Sequence, residues 1–134
     1  MTSEKQNVVI TFCTFDVFHV GHLRILERAR AYGDRLVVGV STDQLNIGKK
    51  GKPPVYDQEE RREIISALKC VDDTFFEESL EKKADYIKQF SADVLVMGDD
   101  WRGKFDQFSS LCEVIYLPRT PAISTTEVIE KIRH

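Results

Sequence analysis

The sequence predicts a single α/β domain, a five-stranded parallel sheet with helices on both faces, and three observations support this. Short apolar, β-branched runs recur along the chain, segments with apolar residues at helical spacing separate them, and no repeat, low-complexity tract or linker breaks the alternation. Such alternation builds a parallel sheet through right-handed crossovers. A chain of 134 residues is long enough for one real core and too short for a second.

The first strand is 8–13, Val8-Val9-Ile10-Thr11-Phe12-Cys13, apolar throughout as a strand covered on both faces should be. Leu23, Leu26 and Ala29 then recur at helical spacing and predict a helix over 20–32. Arg35 to Ser41 forms the second strand, 35–41. Segment 42–56 has neither period, and with two glycines and three lysines within four positions it is expected to be a loop. Helix 57–69 begins at Asp57, followed by strand 71–76, helix 80–90, strand 93–97, helix 104–110 and strand 112–117. The last helix, 124–133, opens on Ser124-Thr125-Thr126-Glu127, an S-x-x-E capping box ahead of Val128, Ile129 and Ile132. The domain is expected to span 1–134, with 1–6 a flexible tail.

Composition excludes several functions. The 19 basic residues against 22 acidic ones give a net charge of −3, so no basic surface for nucleic acid is advertised. No run approaches the roughly 18 apolar residues of a membrane span, and Met1 to Asn7 lacks signal-peptide design, so a cytoplasmic protein is expected. Cys13, Cys70 and Cys112, odd in number and widely spaced in or beside apolar segments, are expected to be reduced core thiols.

The chemistry concentrates at residues 14–22, Thr-Phe-Asp-Val-Phe-His-Val-Gly-His, where the first strand hands over to a helix. A helix starting there aims unpaired N–H groups and the positive end of its dipole at the strand's C-terminal mouth, where anions collect. Gly21 admits a phosphate close to the backbone, and His19 and His22, three apart, both face it as donors. A cap or packing role is one alternative, against which two of the chain's three histidines fall in this one motif, and zinc ligation is a second, but no nearby Glu or Cys supplies a third ligand at a familiar spacing. Residues 99–101 and 119–126 follow the fourth and fifth strands, so the motifs converge on one mouth.

Thr14-Phe15-Asp16 followed by His19-Val20-Gly21-His22 resembles the signature of the cytidylyltransferase branch of the HxGH nucleotidyltransferase superfamily. About a hundred residues later, Arg119-Thr120-Pro121-Ala122-Ile123-Ser124-Thr125-Thr126 resembles that family's RTxGISTT block. Met97-Gly98-Asp99-Asp100-Trp101 with Gly103-Lys104-Phe105-Asp106 is similar to the bacterial glycerol-3-phosphate cytidylyltransferases, and the likeness spans residues 8–132.

The resemblance implies a Rossmann-like fold and transfer of CMP from CTP to glycerol 3-phosphate or another small polyol phosphate, with Mg²⁺ carried on the CTP phosphates and a homodimeric assembly. It implies catalytic roles for His19, His22, Lys49 and Arg119. Thr14, Phe15, His19, Val20, Gly21, His22, Lys52 and residues 119–126 would line the CTP site, with Lys49 and Lys83 on the acceptor phosphate. The second loop lysine is Lys52 or Lys50. No metal-ligating side chain is assigned.

Some positions stay open between a functional and a structural reading. Lys83 matches a family lysine, yet by composition it is an ordinary exposed helix residue. Arg61 either orders its region, reaches a phosphate, or pairs at the surface with Glu59 or Glu60. Asp16 could bind magnesium, but a turn or cap role is favoured, and Asp99, Asp100 and Trp101 are pocket residues or a packed acidic turn. Departures from the family are Cys13 and Ala122 where it has glycine, Pro121 before Ala122, and Lys69 in place of an arginine. They leave room for another acceptor, for ATP, or for a catalytically silent nucleotide-binding module.

Overall fold

The computed structural model describes residues 6–118 and 124–133. Five parallel strands, β1 (Val8–Cys13), β2 (Arg35–Ser41), β3 (Asp73–Glu77), β4 (Val94–Gly98) and β5 (Glu113–Leu117), form one sheet in the order β3-β2-β1-β4-β5. The order reverses between β1 and β4, and ligands of open α/β sheets bind at the carboxyl ends beside such a switch. The helices are α1 (Val20–Arg30), α2 (Asp43–Lys50), α3 (Gln58–Ser66), α4 (Lys83–Gln89) and α5 (Thr125–Arg133).

The three central strands, β1, β2 and β4, are largely buried because helices cover both faces, whereas the edge strands β3 and β5 are only partly buried. On one side Val9, Leu36, Val38, Val40 and Val96 pack with Leu26 and Ala29 of α1 and Ile65 of α3. On the other, Ile10, Phe12, Leu95 and Met97 meet Ile87 of α4. Consecutive β1 residues thus enter opposite cores, as the period of two demands. Gly39 on β2 leaves room for the rings of Phe12 and Phe75, each of which would stand 2.7 Å from an added Cβ.

Aspartates set the strand starts. Asp34 accepts the Asn7 N–H, Asp72 accepts that of Leu36, and Asp93 accepts that of Val8, each at 2.8–2.9 Å. They satisfy donors that the ladder leaves unpaired at its entry. β1 pairs with β2 along its whole length, Val8↔Arg35 to Cys13↔Val40, but with β4 only at Val9↔Val94 and Ile10↔Leu95. Beyond that point the Thr11 hydroxyl donates to the Val96 carbonyl at 2.6 Å.

Three expectations require correction. Segment 42–56 is not all loop, because α2 occupies Asp43–Lys50, opened by Thr42, whose Oγ1 accepts the Leu45 N–H at 3.1 Å, and closed by Gly51 at φ 79°. The expected helix 104–110 is a 3₁₀ segment, Asp106–Ser110, and 80–90 begins as 3₁₀ at Leu80–Lys82 before becoming α4. The cysteines are not all core thiols: Cys112 is buried, Cys70 half-buried, and Cys13 exposed. Among the described residues no helix is long and apolar enough to cross a membrane.

Candidate active site

Between β1 and α1 the chain makes a strained turn, with Phe15 at φ 57° and Val17 at φ 46°. A β-branched residue rarely enters that region, and such outliers persist where surrounding contacts enforce them. Asp16, between the two, supplies those contacts: its carboxylate accepts the N–H groups of Val17 (3.1 Å), Val55 (2.7 Å) and Tyr56 (2.9 Å). The turn reading of Asp16 therefore describes what it does.

The turn delivers His19 to the N-cap of α1 in extended conformation. Its Nδ1 accepts the Gly21 N–H at 3.0 Å, while the Nδ1 of His22 accepts the His19 N–H at 3.2 Å. This is a reciprocal capping box built from two imidazoles instead of hydroxyl and carboxylate. With both Nδ1 lone pairs engaged by backbone donors, the ring protons reside on Nε2. The rings stack with centroids 3.9 Å apart, and Phe15 and Phe18 enclose His22. Burial lowers the proton affinity of both, taking His22 to about 4, with repulsion from His19 adding to the fall and Asp16 opposing it. At neutral pH both are uncharged rings presenting Nε2–H donors side by side.

A hydroxyl from the other end of the chain marks where those donors point. Thr125 Oγ1, at the start of α5, lies 3.3 Å from His19 Nε2 and 3.5 Å from His22 Nε2, and donates to the Asp16 carbonyl at 3.2 Å. Ser124 caps α5, accepting the Glu127 N–H at 3.1 Å, which is the expected first half of the capping box. Arg119, Thr120, Pro121, Ala122 and Ile123 lie outside the described residues.

The histidines stand between two connected hollows. The larger, about 550 Å³, is lined by Thr14, Phe15, His22, Lys49, Lys50, Lys52, Lys83, Thr125 and Thr126, among others. The smaller, about 240 Å³, is lined by His19, Gly21, His22, Ser124 and Thr125, with Asp100 and Trp101 opposite. Val20 is exposed and lines neither hollow. Trp101 borders both hollows, its ring 5.5 Å from that of Phe105, whereas Asp99 is engaged by Arg102 at 2.7 Å. Cys13 lines both hollows, and Lys69 lies exposed in a turn and lines neither.

Two cations left open between a surface and a structural or site reading are buried. Arg61 is 1% exposed, and its guanidinium donates to the carbonyls of Tyr56, Thr14 and Ser41 and to the Asp43 carboxylate, all within 3.0 Å. It makes no surface pair with Glu59 or Glu60; it ties the ends of β1 and β2 to the first turn of α2. Lys83, read from composition as an exposed helix residue, is 2% exposed and pairs with Glu77 at 2.8 Å. Burial lowers the Lys83 proton affinity, Glu77 opposes the fall, and nearby Lys49 deepens it.

Asn46, Asp43 and Glu77 were not foreseen. Asn46, buried on α2, accepts from the Thr14 hydroxyl at 3.0 Å and donates to Ser41 Oγ and the Thr42 carbonyl at 2.9 and 2.8 Å. It holds the helix face that carries Lys49 and Lys50 against the end of β1. The Thr42-Asp43 start and Gly51 stop were the signals that could have revealed this helix. Among the described residues no group of three or more His, Cys, Asp or Glu could hold a metal ion.

Over residues 10–131 the chain matches the family model described as cytidylyltransferase-like. It is 48% identical to the glycerol-3-phosphate cytidylyltransferase of Bacillus subtilis (strain 168), covering 92% of this chain and 95% of that one. It is 44% identical to the Staphylococcus aureus enzyme of the same name over 92% and 93%. The FAD synthase of Pyrococcus horikoshii is 32% identical over 98% and 96%. A lipopolysaccharide core biosynthesis protein from Thermoplasma volcanium has the same fold, with a TM-score of 0.74 at 24% identity over 87% of this chain and 99% of that one.

Proposed function

Because this chain belongs to the cytidylyltransferase-like family, we propose that it transfers CMP from CTP to glycerol 3-phosphate, giving CDP-glycerol and pyrophosphate. The observation that carries the reaction type is the pair of neutral imidazoles with both Nε2–H groups converging on one point. The acceptor is supported by the likeness to the Bacillus and Staphylococcus enzymes at 44–48% identity over nearly the whole chain.

An oxygen of the acceptor phosphate attacks the α-phosphorus of CTP; that P–O bond forms as the bond to the β-phosphate oxygen breaks, and pyrophosphate leaves in line. No covalent enzyme intermediate is needed. The difficulty is electrostatic, since two anions must meet while charge grows on the α and β oxygens. His19 and His22 donate to those oxygens without reorganising, their orientation already set by the capping box. Lys49 and Lys50 or Lys52 neutralise the phosphates from the rim, and Arg119 joins them by resemblance to the family. Thr14, Phe15, Gly21, Ser124, Thr125 and Thr126 complete the CTP walls, together with residues 120–123 by the same resemblance.

Magnesium enters as part of the substrate, bound to the triphosphate oxygens. The cleft carries lysines, histidines and hydroxyls, Asp16 already accepts three N–H groups and Glu77 is paired with Lys83, a set that suits a cation held by phosphate and water. A cytoplasmic homodimer completes the reading, and light scattering tests the assembly. The decisive assay is pyrophosphate release with CTP, Mg²⁺ and a panel of small phosphomonoesters, omitting each component in turn. Release requiring both CTP and glycerol 3-phosphate is expected. Release with ATP or another acceptor would overturn the substrate, and silence across the panel would leave a nucleotide-binding module.

A further inference from the structure

The four lysines of the larger hollow are not alike. Lys49, Lys50 and Lys52 are exposed and enter no ion pair among the described residues. Lys83 is held in the floor, its Nζ bonded to Glu77 at 2.8 Å and lying 3.8 Å above the Phe12 ring and 5.0 Å from that of Phe105. Glu77 ends β3 and is equally buried, and both side chains line the hollow.

A buried ion pair is weak evidence of added stability, because desolvating two charges commonly consumes what their attraction returns. Its position in the floor of a substrate hollow points to another use. The pair is neutral overall, so it offers no net attraction to a phosphate dianion, and the Glu77 carboxylate repels one. A hydroxyl group is the complementary ligand, since it both donates and accepts. It can give its proton to the carboxylate and take one from the ammonium, which has two N–H groups beyond the one bonded to Glu77. The Phe12 and Phe105 rings flank the same ammonium and offer apolar surface to the carbon chain.

We propose that Glu77, with Lys83, reads the hydroxyl groups of the acceptor, making Glu77 a specificity-determining residue and leaving the acceptor phosphate to the exposed lysines of the rim. The inference rests on the reading of this cleft as a phosphomonoester-accepting nucleotidyltransferase site. It shifts Lys83 from the phosphate, where family resemblance set it, to the polyol. Burial and Lys49 both act against the Lys83 proton, and Glu77 is the group that retains it. Without the carboxylate both members of the hydroxyl site are impaired.

The test compares glycerol 3-phosphate with n-propyl phosphate, which has the same phosphate and chain length and lacks hydroxyls, through kcat/KM with saturating CTP and Mg²⁺. The wild-type enzyme is expected to prefer glycerol 3-phosphate by about 100-fold or more, as charge-assisted bonds to two hydroxyls imply. In Glu77→Gln the preference falls at least about 10-fold, the loss appearing in KM for glycerol 3-phosphate. The Glu77→Gln/Lys83→Gln double variant, which buries no charge, covers the case in which the single variant fails to fold, and loses the preference likewise. An unmoved ratio in either folded variant, with both acceptors falling alike, assigns the pair a structural role and overturns the proposal. So does a wild-type preference below about 3-fold, whatever the variants do. Absence of pyrophosphate release from wild type with every acceptor brings down the reaction itself, an outcome distinct from release with an unmoved ratio.

Discussion

His22 accepts the backbone N–H of His19 through Nδ1 at 3.2 Å, so the ring that completes the helix cap is also the one that the proposed function assigns to the substrate. Replacing either histidine therefore removes a donor and unsettles the α1 start together. His19→Ala and His22→Ala are each expected to lower kcat by roughly 10² or more, the scale of losing one preorganised donor. Steady-state turnover close to wild type in both variants would sink the role.

The depressed proton affinity of His22 has a definite sign in stability. An unfolded histidine titrates near about 6.5, and the folded one near about 4, chiefly through burial. Between those values the unfolded chain takes up a proton that the folded chain refuses, so stability falls as pH drops through this window and is level above it. The full effect is on the order of 3 kcal/mol. Urea unfolding of wild type and His22→Asn at pH 7, 6, 5 and 4.5 measures it, and the variant should show the shallower slope. Likewise kcat should show no step at pH 6–7 from these imidazoles; a loss on raising pH through 6.5 would mean that a charged ring is required.

Arg61 is buried with four acceptors, three of them carbonyls that no neutral residue of its size could satisfy. Arg61→Met is expected to cost about 2–4 kcal/mol, chiefly by leaving carbonyls of Tyr56, Thr14 and Ser41 without their donor. Arg61→Lys, without the planar fork, recovers only part of it. Thermal unfolding measures both, and a shift in melting temperature under about 3 °C for Arg61→Met would contradict the assignment.

Asp16 reaches across 39 and 40 positions to the N–H groups of Val55 and Tyr56, pinning the segment that follows the cleft lysines. Asp16→Ala should raise KM for CTP about 10-fold, equivalent to one charge-assisted bond, with a parallel fall in stability of about 1–3 kcal/mol. Lost activity at unchanged stability and unchanged nucleotide affinity would instead make Asp16 a participant in the chemical step.

Cys13 is exposed and lines both hollows, whereas burial pushes up the proton affinity of Cys70 and Cys112. Iodoacetamide at pH 8 should therefore modify Cys13 first and inactivate the protein by filling the cleft. CTP should slow the modification, and Cys13→Gly should abolish the inactivation. Peptide mass mapping checks the site.

The strands were legible because each is a short run rich in apolar or β-branched residues, the three central ones largely buried, and their starts differ from expectation by two residues at most. Helix α2 was hidden because its eight residues include Gly48 and two lysines, and what holds it is distant: Arg61 on Asp43, Thr14 on Asn46. The histidine motif was readable as chemistry, but its tautomer was not, since that depends on which nitrogen the backbone engages. Lys83 misled for a related reason. Its partner Glu77 closes a strand six positions earlier, a relation without a periodic signature, and only the packed Phe12 and Phe105 rings make the burial visible.

The brief pairing of β1 with β4 divides the sheet mechanically. Lys49 and Glu77 belong to the β1-β2-β3 side, Trp101 and Thr125 to the side that follows β4, and past Ile10 the Thr11 hydroxyl is a stitch between them. Under the proposed function, a nucleotide seated across the cleft is a strut over the seam where the backbone joins the halves least. It reinforces the molecule by about 2.7 kcal/mol at a hundredfold excess over its dissociation constant. On that proposal substrate acts on the domain as a splint, and the halves gain in cohesion what the sheet leaves out.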